Sequence, residues 1–520
     1  MSNQPRFVSF AICTGLASMT LCVVAAGQEQ IWKIAGDPSH GVGGQFAIVG
    51  DVTGDGIADI ASTYGADVIV RSGTDGSSVY SVQAPNFADG FGTSIAGLGD
   101  VDGDGIGDFA VAAPLETNLL TNQGAVFAYS GASGTAIYTV YGSLSGETLG
   151  RQIAALGDVD GDGVCDLVAG TGLNQAIVLS GVDGSAIWTL NGPLTASEFG
   201  WSVGGGGDVD GDGVPDVLVG DQGSSAGARF GGAASAFSGA TGTLLYEFKS
   251  STKKARFGAA LSIPGDVDHD GFDDILIGAP ADDRSGGFGY AVIYSGKDGS
   301  SLMSFVPEDP PGLNTSRLWG LGSAVCGAGD VNDDGYLDVL LGAPSYGDFG
   351  GNGGAILYST RDGSALFHFQ DLASTSPGPC FFGSAVAAAG DLDGDGRTDF
   401  VFSSPHEEDS SFITIGSVSA WRGHPLYVDA RPNFVYSGFQ ETLFIGQYIA
   451  GNPYALFLTG ANGVPFFTLM AFGTLDTAGR ATVNGTIPNN FGPNTLDFQA
   501  FTSDANGRLV RSGVETVFTK

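Results

Sequence analysis

Short runs of alternating apolar and polar residues, most of them five or six long, recur from residue 30 to about residue 421. DFAVAAP (108–114), DILIGAP (274–280) and DVLLGAP (338–344) are one kind of run. AIVLSGVDGSAIWTL (176–190) and AVIYSGKDGSSLMSF (291–305) are two runs joined by a tight Gly/Asp turn. Period-two alternation bounded by turn residues predicts strands. The runs fall into a repeating unit of four strands each.

The unit is marked by GDVDGDG or a close variant, whose first Asp is Asp51, Asp100, Asp158, Asp208, Asp266, Asp330 and Asp391. An aromatic or Leu followed by Gly precedes most copies: Phe91-Gly92, Leu149-Gly150, Phe199-Gly200, Phe257-Gly258, Leu321-Gly322 and Phe382-Gly383. Spacings of 49 to 64 residues leave each unit too small to bury a core alone,. Seven antiparallel four-stranded units predict an all-β fold, a seven-bladed β-propeller over residues 28–424. Repeat seven reaches His424-Pro425 without a fourth strand, while QIWKIAG (30–36) aligns with AIWTLNG (186–192). Ile31–Ala35 is therefore expected to complete the last blade and remove two open edges.

Composition sharpens the picture. The chain of 520 residues carries 46 Asp but only 10 Glu, and its formal charge is −36. Such acidity disfavours nucleic acid and anionic membrane as partners. The Asp bias points instead to turns and to oxygen-ligand sites. Each loop reads D-x-[DN]-x-D-G-x-x-D, with Thr in place of the second acid in the first copy. Carboxylates at positions 1, 3, 5 and 9 and a backbone carbonyl at position 7 can converge on a hard divalent cation.

The candidate ligands are Asp51, Thr53, Asp55, Ile57 and Asp59 in loop one, and Asp100, Asp102, Asp104, Ile106 and Asp108 in loop two. Loop three offers Asp158, Asp160, Asp162, Val164 and Asp166; loop four offers Asp208, Asp210, Asp212, Val214 and Asp216. Loop five has Asp266, Asp268, Asp270, Phe272 and Asp274, with His269 at position 4 and Asp273 as a neighbouring carboxylate. Loop six has Asp330, Asn332, Asp334, Tyr336 and Asp338; loop seven has Asp391, Asp393, Asp395, Arg397 and Asp399. These positions hold 26 of the 46 aspartates, which accounts for the bias over Glu. Up to seven Ca²⁺ ions are expected, the first site being weakest because of Thr53. An EF-hand closes with Glu at position 12, whereas position 12 here is Ser62, Val111, Ala169, Val219, Ile277, Leu341 or Phe402.

FGTSIAGLGDVDGDGIGDFAVAAP (91–114) and RFGAALSIPGDVDHDGFDDILIGAP (256–280) resemble FG-GAP repeats, which build the propellers of integrin α-subunit N-terminal regions and of many secreted bacterial proteins. The resemblance spans about 395 residues. It implies seven blades, with calcium in the hairpins between strands one and two. The first copy is weak, and copies three, four and seven carry TGL, GDQ and SSP where the family pattern has GAP.

The ends and the opposite face complete the reading. Arg6, an apolar stretch over residues 7–26, and small residues at Ala25 and Gly27 predict a signal peptide over 1–27,. Secretion or a cell-surface location follows, with no membrane span in the mature chain. Cys165, Cys326 and Cys380 then remain, too few and too irregular for a disulfide framework, although Cys326 and Cys380 could pair,. Residues 425–520, rich in Phe, Tyr and Asn, predict a small C-terminal β-sandwich of six to eight strands, with a role in surface sorting or carbohydrate contact.

Longer connections lie on the face away from the Asp loops, where Trp201, Trp319, Phe382, Lys253, Lys254 and Arg256 are binding candidates. His40, His269, His368, His406 and His424 show no metal or triad spacing. Gly223–Gly227 matches G-x-S-x-G, but in a loop rather than at a strand–elbow–helix. The expected protein is a monomeric, non-catalytic adhesion or ligand-binding module for an extracellular protein or glycan. An extracellular enzyme or enzyme accessory acting on polysaccharide is the alternative.

Overall fold

Alternation becomes architecture in seven four-stranded antiparallel sheets. The structure, a computed structural model, describes residues 30–423 apart from 38–40, 85–88, 194–197, 281–288, 307–317, 347–351, 370–379, 409–410 and 412, and beyond these the backbone of strands between 428 and 519. The predicted signal segment lies outside the described residues.

Blade two shows the plan: Ser94–Gly99, Asp108–Ala113, Ala125–Tyr129 and Ala136–Tyr141, each hydrogen-bonded to the next in sequence. The second and third strands are buried along their whole length, because neighbouring blades cover both faces. Fourth strands face solvent on one side and keep the alternation, as in Ala186–Asn191,. First strands neighbour one another in order, and Val42–Gly50 returns to Val386–Gly390 and Asp399–Ser404, closing a ring.

The core is divided among the blade interfaces. Seven buried clusters are described, one between each pair of adjacent blades. The residue before each motif glycine is a wedge in them: Phe91, Leu149, Phe199, Phe257, Leu321 and Phe382 are all buried. Each such side chain is worth roughly 1.5–3 kcal/mol of burial. The glycine that follows has a left-handed backbone, with φ of 83–88° at Gly92, Gly150, Gly200, Gly258, Gly322 and Gly383. Only glycine enters that region without a Cβ penalty. Blade one uses Val42-Gly43 in the same way, with Gly43 at φ 81°.

Blade seven is completed by the N-terminal strand. Gln30–Ala35 pairs antiparallel with Ser417–Trp421. Lys33 Nζ lies 2.6 Å from Glu407 Oε1, and the Ser417 hydroxyl donates to the other Glu407 oxygen. The Trp32 indole N–H donates to the Gly73 carbonyl of blade one at 2.6 Å. Trp188 does the same toward Gly239, and the Tyr80 hydroxyl toward Gly131. These aromatics on fourth strands tie blade seven to one, one to two and three to four.

Cys165, Cys326 and Cys380 carry thiols, so no Cys326–Cys380 bridge forms; the Cys380 thiol meets the Asn352 carbonyl at 3.0 Å. Beyond residue 423 the described elements are all strands. One sheet contains Val428–Arg431, Gln440–Ile445 and Ala481–Thr486, and a second has six strands. No described helix is long and apolar enough to cross a membrane.

Candidate metal centres and the opposite face

Each Asp loop folds around its own carboxylates. In loop two, Asp100 Oδ1 accepts the amides of Gly103 and Asp104 at 2.7 and 3.0 Å, and Oδ2 accepts that of Gly105 at 2.8 Å. Asp102 Oδ1 accepts the Asp104 amide, and Asp104 Oδ1 accepts that of Ile106. Asp108, fully buried, takes the amides of Val101 and Asp102 on Oδ2 and that of Gly131 on Oδ1. Position 9 therefore anchors the loop to the turn between strands three and four, which places both turns on one face. Position 2 is a second anchor absent from the ligand pattern: Val101, Val159, Val209, Val267, Val331 and Leu392 are buried. An aliphatic residue at that position in all seven copies is its sequence signal.

Positions 1, 3 and 9 converge. One carboxylate oxygen from each lies within 4.8 Å of the others in Asp100/Asp102/Asp108, Asp158/Asp160/Asp166, Asp208/Asp210/Asp216, Asp266/Asp268/Asp274 and Asp391/Asp393/Asp399. Loops one and six place Thr53 and Asn332 where these five have an Asp. Position-5 aspartates fall outside the convergent groups. Asp55, Asp104, Asp162, Asp212, Asp270 and Asp334 instead accept the amide of position 7, namely Ile57, Ile106, Val164, Val214, Phe272 and Tyr336.

Electrostatics test whether these residues fit a cation. Burial pushes the position-9 carboxyl up in every loop: to about 6 in Asp216 and Asp274, about 7 in Asp338 and about 8 in Asp399. The Asp59, Asp108 and Asp166 carboxyls rise for the same reason. The oxygens Asp338 Oδ1 and Asp395 Oδ1 are buried without a hydrogen-bond partner. Crowded, desolvated carboxylates with unused oxygens suit a hard divalent cation, which supplies the missing counter-charge.

A pH dependence follows. Because the folded, metal-free carboxyls titrate above 3.8, their protonated form stabilises the fold at low pH. That stability is lost as pH rises through about 6 to 8. Chelator-treated protein should melt higher at pH 5 than at pH 8, and saturating calcium should remove or reverse the order. Thermal melts at the two pH values check this.

The loops are not equivalent. A Cβ at the turn glycine would lie 1.9 Å from a backbone oxygen at Gly131 and 1.7 Å at Gly423. Blade six has Thr360 at this position, its hydroxyl donating to the Leu337 carbonyl at 2.5 Å, and Asp338 Oδ1 loses the amide that its counterparts receive. In blade seven Arg422 stands where five of the other blades have Ser before the turn Gly, and its Nε pairs with Asp393 Oδ2. A guanidinium thus sits on one of the three convergent carboxylates. Arg422→Ser should raise the calcium affinity of this loop, read by titration calorimetry. Asp273 does not join site five; its Oδ2 accepts the Asp208 amide of loop four at 2.9 Å. His269 takes φ 64° and packs at a tilt against Tyr336 of the next loop, ring centroids 4.8 Å apart.

The other face shows a different chemistry. Of its binding candidates, Phe382 belongs to the core, fully buried against Phe402 and Trp421. Its place at the entry to strand one suggested exposure, but the ring turns into the interface between blades. Trp201 is 36% exposed, and Lys253 and Arg256 are exposed. Arg256 Nε donates to Gln222 at 3.1 Å. Trp319 lies in a two-residue strand paired with Ser345–Tyr346. Ser225, the serine of the G-x-S-x-G match, is exposed in a loop, its Oγ accepting the Phe230 amide at 2.9 Å, and no helix follows among the described residues. The starts of all seven first strands surround a central cavity of about 900 Å³.

Fold and loops together define a seven-bladed β-propeller with acid-lined hairpins on one face. An FG-GAP repeat model matches residues 91–129 and 257–294, and an FG-GAP-like repeat model matches 330–402. The chain is 28% identical over 270 residues to integrin alpha-5 of Xenopus laevis, which is 50% of this chain and 24% of that one. Identity to integrin alpha-V of Gallus gallus is 30% over 229 residues, covering 41% and 20% of the two chains. For integrin alpha-E of Homo sapiens it is 32% over 181 residues, covering 33% and 14%. The chain spans about a quarter or less of the length of these relatives. Parts of the propeller match FG-GAP repeats, and the chain is similar over part of its length to integrin α-subunits.

Proposed function

We propose that the chain is an exported, calcium-stabilised propeller, a non-catalytic adhesion or ligand-binding module at the cell surface. Residues 1–27 would be its signal peptide, 28–424 the propeller and 425–520 a C-terminal β-sandwich. The observation that carries the reading is the division of labour between faces. One face concentrates convergent carboxylates in five loops. The other surrounds a central cavity with irregular connections. Calcium would be held by positions 1, 3 and 9 in blades two to five, with up to seven ions in all, the first site being weakest. When bound, the ion neutralises the carboxylates and locks each hairpin against the turn beside it. Its role is structural; recognition falls to the opposite face.

An array of glycans and matrix proteins, probed with calcium and with chelator, tests this reading. Calcium-dependent capture of an extracellular protein or glycan is expected. Absence of any capture under both conditions would contradict it.

A further inference from the structure

The cavity at the centre of the ring has an unusual charge for this protein. Acids outnumber bases 56 to 20 in the chain, yet the one charged side chain among the described lining residues is Arg151. Its guanidinium stacks on the Trp201 ring at 4.5 Å. It makes no ion pair and no hydrogen bond to another described residue. The planar fork is held in place by the ring while its N–H donors stay unused, the arrangement that suits a bidentate carboxylate. The rest of the polar lining is neutral. Gln45 and Thr148 both reach the cavity, and the Thr148 hydroxyl is buried without a partner on a left-handed backbone, φ 48°. Arg229 and Arg256, exposed on the connections of blade four, extend positive charge on the same face.

We propose that this cavity binds an acidic saccharide, with the ligand's carboxylate on Arg151 and its hydroxyls on the neutral amide and hydroxyl groups around it. The proposal deepens the ligand-binding reading and rests on it. Charge sets the anionic ligand: a guanidinium with unused donors offers a carboxylate a charge-assisted, bidentate pair. Neutral hydrogen-bonding side chains such as Gln45, Thr93, Thr148 and Gln152, beside the partly exposed Trp201, suit a hydroxyl-rich sugar, and the comparison with an acidic peptide is made in the test.

Calorimetry in saturating calcium, with trigalacturonate as the probe, tests the assignment. The same trisaccharide as its methyl ester removes the charge, and a tri-glutamate peptide keeps the charge on another backbone. Trigalacturonate should bind, and its methyl ester should bind at least about tenfold more weakly, as expected for loss of a charge-assisted hydrogen bond. Arg151→Gln should weaken binding by a similar factor, and Arg151→Lys less, without lowering the melting temperature in calcium. If Arg151→Gln does not fold, Trp201→Phe supplies the variant, and its expected result is weaker trigalacturonate binding. Unchanged affinity in the folded variants would overturn the proposal, as would tighter binding of tri-glutamate. Absence of trigalacturonate binding beside a hit of another class on the array would overturn the saccharide site alone; absence of both would overturn the module reading as well.

Discussion

Removing calcium should lower the melting temperature of the propeller by more than any single substitution in it. In five loops three aspartates direct one oxygen each to a common point, and one of the three is buried in every case. Without a cation those carboxylates repel one another and carry a desolvation cost. With a cation present at a hundred times its dissociation constant, each occupied site adds about 2.7 kcal/mol. The four blades without a competing guanidinium, two to five, would act together. Differential scanning calorimetry with calcium and with chelator should show a large downward shift on chelation, reversed when calcium is restored. Asp108→Asn in blade two should reproduce part of the loss, because Asp108 both faces the cation and holds the Val101, Asp102 and Gly131 amides.

The second large effect concerns closure of the ring. Trp32 is buried in the cluster between blades seven and one, and its indole holds the Gly73 carbonyl. The Gly73 amide in turn donates to Asp59 Oδ1 at 2.9 Å, so the N-terminal strand reaches the anchor of loop one through a single turn. Trp32→Ala would remove a large buried ring and leave a cavity, a loss of about 3–5 kcal/mol. Deleting residues 28–36 would remove the pairing as well and expose the edge of Ser417–Trp421, a template for self-association,. A melting temperature several degrees lower is expected for Trp32→Ala, and self-association in sedimentation for the deletion. Unchanged melting and a monomer in both would mean that the strand does not secure the ring.

Much of this was legible because repetition multiplies a weak local signal. One D-x-D-x-D-G turn says little, whereas seven at regular spacing imply blades, and the blades imply a ring. The closing strand was legible from the register shared by QIWKIAG and AIWTLNG. Positions 1, 3 and 9 converge in five loops, as their spacing suggested, while the position-5 carboxylates, which accept the amide of position 7, are not in those groups. Val42-Gly43 departs from the pattern because Val replaces the aromatic; its sequence signal is the constant eight-residue step from this Gly to the first Asp. Thr360 and Arg422 were invisible as site residues, being distant in sequence from the loops they alter. Arg151 and Trp201 are 50 residues apart and meet only because adjacent blades bring the starts of their first strands together.

The count of bound calcium tests the central claim most directly. Native mass spectrometry of the chelator-treated propeller, titrated with calcium, should show stepwise additions to no more than seven ions. Those of blades two to five should fill first, and Asp108→Asn should remove one of them. A protein that gains no calcium mass, or whose additions are unaffected by Asp108→Asn, would contradict the account.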